Sequence, residues 1–253
     1  MKKTIKIILM GVLIIMSIGL YVGCSDNKPT EQAQSGAYYA KSSEAKYAVV
    51  YDDTLSVFYS AARCDVFQFA KSKDEYIGEN IRAKASIKFL GDELIISVSD
   101  KKEYPVWREK LRLKRNPNIG LSQTTLVEIE PPTDIEINSH DLRWQFENLM
   151  GTGQAVGNLL RSSGILGARV EVKYADKQDF ELIEVRDFYT EPDCFFYIYF
   201  PDLNLLQGEN IVKIMHLGGA FIKDNKIYKS ENSETISVSI TVDLQGNFTV
   251  IKI

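Results

Sequence analysis

The sequence predicts a mainly β protein, two tandem antiparallel β-sandwich-like blocks joined by a helical segment. Three observations carry this. Short alternating runs, such as 47–51, 81–89 and 110–114, are separated by Gly- and Asp-bearing turns, the pattern of sandwiches and barrels. A stretch at 133–167 has helical spacing instead. Residues 58–81 reappear without a gap at 188–211. Of the 253 residues, 45% are apolar and 25% charged, which excludes a disordered or collagen-like chain.

The elements follow in order. In the first block, 44–132, strands are expected at 47–51, 55–59, 64–69, 81–89, 94–98, 110–114 and 124–129, and Pro131-Pro132 ends it. In 133–167, Ser139 can cap a helix starting at His140, with Leu142, Phe146, Leu149 and Met150 on one face and Gly164 as a stop. In the second block, 168–253, runs at 169–174, 180–185, 194–200 and 211–215 read as strands. Phe221-Ile222 and Ile227-Tyr228 flank the turn Asp224-Asn225. The runs 236–242 and 248–253 flank Gln245-Gly246-Asn247, a hairpin signal.

The repeat pairs Phe58-Tyr59-Ser60, Cys64 and Gly78-Glu79-Asn80-Ile81 with Phe188-Tyr189-Thr190, Cys194 and Gly208-Glu209-Asn210-Ile211, with seven of 24 positions identical. It predicts a duplication, two sibling domains with one strand order. Strand faces alternate, and the second copy is apolar on both (Phe196 and Ile198, Phe195 and Tyr197). That strand is expected to be central or covered twice. The Gly-Glu-Asn-Ile turn before a strand resembles turns of bacterial immunoglobulin-like modules, which implies an immunoglobulin-like sandwich for each block.

The N-terminus has a different character. Lys2, Lys3 and Lys6 precede an almost wholly apolar run at 7–23, and Cys24 follows, a secretory pattern. Val22-Gly23-Cys24 resembles the lipobox of bacterial lipoproteins, with Tyr21 where that family usually has Leu. The resemblance covers residues 1–24 only. It implies cleavage of signal peptide 1–23, lipidation of Cys24 (including palmitate-type acyl chains) and a membrane-anchored, extracytoplasmic location. With Ser25 next, it implies the outer membrane in a Gram-negative cell, and otherwise the outer face of the cell membrane. Residues 24–43 are small and polar and read as a flexible tether.

Candidate chemistry is sparse. Cys64 and Cys194 remain after lipidation. They either pair in the oxidising envelope or are two inert core cysteines. Lys110, Arg112 and Lys114 share one strand face, with Leu111 and Leu113 on the other. This reads either as a solvated edge strand or as a contact for an anionic surface, lipid headgroups or cell-wall polymer. Gly151, Gly153 and Gly157 lack the spacing of a dinucleotide loop. His140 and His216 stand far apart with no Cys or carboxylate at ligand spacing, so no metal site and no cofactor is expected. The formal charge is −4, and about −7 once the signal peptide is removed, which disfavours nucleic acid. The expected role is noncatalytic binding or scaffolding in the cell envelope, with an envelope protein or cell-wall polymer as partner. A carboxylate-dependent glycan hydrolase and a sugar or small-ligand module remain the alternatives.

Overall fold

Alternation of lumen-facing and outward side chains rolls the first half of the chain into a closed barrel. The computed structural model describes residues 31–41, 43–60, 63–101, 108–123, 128–129, 131–145, 161, 163–183, 189–190 and 196–253. The barrel strands are β1 (Gly36–Ala40), β2 (Ser43–Tyr51), β3 (Thr54–Phe58), β4 (Cys64–Ser72), β5 (Glu75–Glu79), β6 (Ala83–Leu90), β7 (Glu93–Asp100) and β8 (Arg108–Arg115). Each pairs antiparallel with the next, and β8 closes onto β1, with Tyr38 opposite Arg115 and Ala40 opposite Leu113. Two-residue turns make the sharp corners, with Asp52, Lys73 and Gly91 at positive φ.

The lumen is solid. Tyr38, Leu55, Phe67, Ile87, Phe89, Leu94 and Ile96 all point inward and are fully buried. Phe69, Tyr76 and Phe89 meet edge to face, with centroids 5.5 and 5.6 Å apart. Eight strands leave just enough interior for side chains to fill. Residues 31–35 form a strap across one mouth. Glu31 N–H bonds to Phe89 O (2.8 Å), Gly91 N–H to Glu31 Oε2 (3.0 Å), and Ala33 N–H to the Tyr76 hydroxyl (3.0 Å). At the other mouth the inward positions turn polar. Lys46 pairs with Glu109 (2.6 Å), and the buried Asp65 takes Arg82 (3.1 Å) and the Asn80 amide (3.3 Å).

The second half packs two sheets face to face. After β9 (Gly120–Leu121) come β10 (Asp134–Ile137), β11 (Asp141–Gln145), β12 (Gly167–Lys173), β13 (Glu181–Ile183), β14 (Tyr189–Thr190), β15 (Phe196–Tyr199) and β16 (Gly208–Leu217). The chain ends with β17 (Gly219–Lys223), β18 (Lys226–Ser230), β19 (Ser233–Val242) and β20 (Phe248–Lys252). One sheet has the order β10-β11-β15-β14 and the other β13-β12-β16-β19-β20. Leu142, Trp144, Phe196 and Ile198 from the first meet Val170, Val212, Ile214, Val238 and Ile240 from the second in one core.

The hairpin β17–β18 belongs to neither sheet. It leaves between β16 and β19, turns at Asp224 and Asn225 (φ 49 and 57), and lies on the outer wall of β1–β3. There Ala220 and Ile227 pack with Ala37, Val49, Tyr51 and Phe58. β9 adds a parallel strand to its free side. Ala220 N–H donates to Ser56 Oγ (2.9 Å), and the Ser230 hydroxyl donates to Gly164 O (2.5 Å). A Cβ at Gly219 would stand 2.8–2.9 Å from Leu166, Ser56 and Val66. The barrel and the two-sheet unit are therefore clamped together as well as linked.

Several expectations change. The chain is mainly β, but the first block is a closed barrel rather than a sandwich. Closure was hidden because β1 lies in the stretch read as tether: Gly-Ala-Tyr-Tyr-Ala is too short to declare itself, and its β8 partner is some 75 positions away. The segment 24–43 accordingly includes the strap and β1. Within 133–167, the expected helix start at Ser139 and His140 is a hairpin turn. Asn138 Oδ1 accepts the N–H groups of His140 (2.8 Å) and Asp141 (2.9 Å). Leu142 and Trp144, two apart, both point into the core, so a period of two overrides the i, i+4 match of Leu142 with Phe146. Residues 146–160 lie outside the described residues, as does the Gly151, Gly153, Gly157 run.

The duplication also fails. β4 and β5 form a hairpin in one barrel, whereas β15 and β16 lie in different sheets. The shared letters do different work. Gly78 leaves room for Phe67, whose Cβ would stand 2.8 Å from a Cβ there; Gly208 supplies φ +104. Asn80 Oδ1 caps the turn into β6 by accepting Ala83 N–H (2.7 Å). Asn210 ties Leu206, Gly208 and Ala175 together. β15 is paired on both sides as expected, yet Tyr199 is exposed, so only one face is covered.

Gly219→Ala should destabilise the protein by about 1–3 kcal/mol, because the new methyl must displace the barrel wall. Gly120→Ala, whose Cβ meets nothing within 4 Å, should be close to neutral. Thermal melts followed by circular dichroism check this, and equal melting temperatures for the two variants would remove the close approach from the account.

Candidate functional site

The two halves of the barrel's outer wall differ in kind. The β1–β3 half is apolar and covered by the hairpin. The β5–β8 half is charged, and its outward side chains fall in rows fixed by the register. Lys84, Ser99 and Arg108 form one row and Ser86, Ser97 and Lys110 the next. Lys88, Ile95 and Arg112 form the third, and Leu90, Glu93 and Lys114 the fourth. Outward positions on one strand recur about every 7 Å, so β8 presents a ladder of four cations down the barrel. The serines, being small, leave a shallow hollow of about 550 Å³ among Lys84, Arg108, Lys110, Glu75 and Ile77.

The wall is not uniformly cationic. Glu79 bridges Lys84 (2.9 Å) and Lys101 (3.0 Å), whose hydrogen bonds hold its carboxyl below the usual range. Arg112 pairs with Glu93 (2.9 Å), and Ser86 donates to Glu75. Six cations on β6 and β8 (Lys84, Lys88, Arg108, Lys110, Arg112, Lys114) still outnumber Glu75, Glu79 and Glu93. Hydroxyls and cations on an open wall can bind an extended anionic surface through many weak contacts. The expectation for Lys110, Arg112 and Lys114 thus stands in one respect and changes in another. They share the outward face of β8, with Leu111 and Leu113 in the lumen. However, β8 is not a free edge, since it pairs with β7 throughout and with β1 over Leu113–Arg115. The motif was visible in the sequence; Lys84, Lys88 and the serines join it only through register.

Cys64 opens β4, carries a free thiol and packs, half-buried, at the hairpin interface. It is an interface residue rather than a lumen core residue. Burial, the largest influence, pushes its thiol well above the ordinary range, against the opposing pull of Arg161. Such a thiol is a poor nucleophile. Arg161 stacks on Phe58 (4.4 Å) and donates to the Tyr47 hydroxyl (3.2 Å). Cys24 and Cys194 lie outside the described residues.

The open edges of the second unit form another surface. β20 is an outer strand, and Ile251, Leu244 and Ile253 around it are exposed by 60, 81 and 61%. An apolar edge strand is a template for pairing with another chain. Among the described residues, no group of three or more His, Cys, Asp or Glu is placed to hold a metal ion. His140 sits in the β10–β11 turn and His216 in the two-sheet core, 6.3 Å from Trp144 by ring centroids. No family model matches the chain, and neither the curated proteins nor the solved structures include one that matches it.

Burial holds His216 neutral, with its pKa lowered to about 4 from 6.5. The unfolded chain therefore binds the extra proton first as pH falls, and stability drops between about pH 6.5 and 4, with no further loss from this group below that. The drop should be roughly 3 kcal/mol. Denaturant melts at pH 7 and pH 4.5 should differ less for His216→Phe than for the parent, and equal differences would assign the loss to other groups.

Proposed function

We propose that this chain is a membrane-anchored extracytoplasmic lipoprotein with a noncatalytic binding or scaffolding role in the bacterial cell envelope. The observation that carries the reading is the junction at Cys24, after a basic start and an apolar run. The folded chain begins close behind it, since Glu31 is already bonded to the barrel.

The barrel itself is not built to span the bilayer. A membrane barrel puts apolar residues outward and polar ones inward, whereas here the lumen is largely apolar and the outer face of β8 is charged. Its filled lumen leaves the outer walls and the sheet edges for contact. The β20 edge, with Leu244, Ile251 and Ile253 exposed, favours a protein partner for the second unit by strand addition. Attachment would come from the lipid on Cys24, with the two clamped β units forming a rigid body outside the cytoplasm.

Radiolabelled palmitate should enter the parent chain expressed in bacterial cells and be absent from Cys24→Ala, which should also leave the membrane fraction. Equal labelling of the two chains would sink the lipoprotein reading.

A further inference from the structure

The strap and the basic wall meet at one corner of the barrel. Glu31 is held at Phe89, near the end of β6, and at Gly91, in the turn between β6 and β7, and those strands carry the middle of the charged wall. The chain that would join Cys24 to the fold therefore leaves from the lower end of that wall. Cys24 and Glu31 are only seven positions apart. Seven steps of chain reach at most about 25 Å when extended, and about 15 Å as a coil. The wall from Arg108 to Lys114 is about 20 Å long, so an extended tether spans all of it and a coiled one spans most of it from the Lys114 end. The opposite wall is occupied by the hairpin and, through it, by the second unit.

Charge points the same way. The chain is net acidic, and more so once Lys2, Lys3 and Lys6 leave with the signal peptide, yet the charged wall is net basic. We propose that this wall, centred on Lys84, Arg108 and Lys110 and extended by Lys88, Arg112 and Lys114, lies against anionic phospholipid headgroups. The barrel then rests on its side on the membrane and turns the second unit, with its β20 edge, away from the bilayer. A lipid on Cys24 fixes one point of the protein at the bilayer, and a basic surface beside it adds electrostatic attraction to anionic headgroups. The serine-floored hollow gathers Lys84, Arg108 and Lys110 around one shallow depression. The placement of the bilayer rests on the lipoprotein reading; the headgroup preference rests on the wall alone.

The test uses the mature polypeptide, residues 24–253 with Cys24→Ser, so that no acyl chain contributes. It should sediment with vesicles of phosphatidylglycerol and phosphatidylcholine, not with phosphatidylcholine alone, and less as salt rises. Arg108→Glu/Lys110→Glu should weaken partitioning at least about tenfold. The charge-matched pair Lys226→Glu/Lys252→Glu, on the hairpin and on β20, should not. Matching near-ultraviolet circular dichroism establishes that both variants are folded. No sedimentation with either vesicle, or equal loss in both variants, overturns the proposal. Retention on a phosphodiester polymer without vesicle binding would overturn it in favour of a cell-wall polymer. Because this polypeptide is unacylated, a failed palmitate experiment leaves the result standing, and a failed vesicle experiment leaves the lipidation of Cys24 untouched.

Discussion

A backbone N–H from the second unit, that of Ala220, lands on Ser56 Oγ in the wall of the first, 2.9 Å away and buried. The rest of the architecture depends on that contact being possible. It requires Gly219, because any side chain there would collide with Ser56, Val66 and Leu166. It requires a small hydroxyl at Ser56 among larger apolar neighbours, to accept a donor that would otherwise be buried unsatisfied. Around it, Ala220 and Ile227 cover the outer faces of Ala37, Val49 and Phe58, which would otherwise be an exposed apolar patch. The barrel thus has one wall that needs a cover and one that does not, and this asymmetry orients everything outside it.

The uncovered wall is where charge is concentrated. Its rows arise from β-sheet register, not from any one stretch of sequence: Lys84 and Arg108 are 24 positions apart but flank the same Ser99. The lumen behind it is filled, so the barrel works as a solid support with a patterned surface. The second unit adds an open β20 edge on a body whose position is set by the clamp.

Much of the secondary structure could be read from local pattern. The strands at 47–51, 55–59, 81–89 and 110–114, the hairpin turning at Asp224-Asn225 and the terminal hairpin were each announced by alternation and turn residues. What could not be read was nonlocal. The closure of β8 onto β1 joins Arg115 to Tyr38, and nothing in Gly-Ala-Tyr-Tyr-Ala marks it as a strand. The excursion of β17–β18 onto the barrel was invisible because a hairpin's sequence does not say which surface it will cover. The apparent repeat shows a subtler limit. Phe-Tyr, Cys and Gly-Glu-Asn-Ile recur because strands and tight turns draw on few residue types, and the two copies serve different topologies. For the site, Lys110, Arg112 and Lys114 were apparent as a face, while their partners Lys84 and Lys88 needed the register of β6 against β7.

The central claim is that the hairpin locks barrel and second unit into one cooperative body. Hydrogen exchange of the backbone amides tests it most directly. Peptides covering 219–230 should exchange as slowly as those of β2 and β3, and should lose protection together with them as denaturant is added. Rapid exchange of 219–230 while β2 and β3 stay protected would contradict it, and would leave two units joined only by their linker.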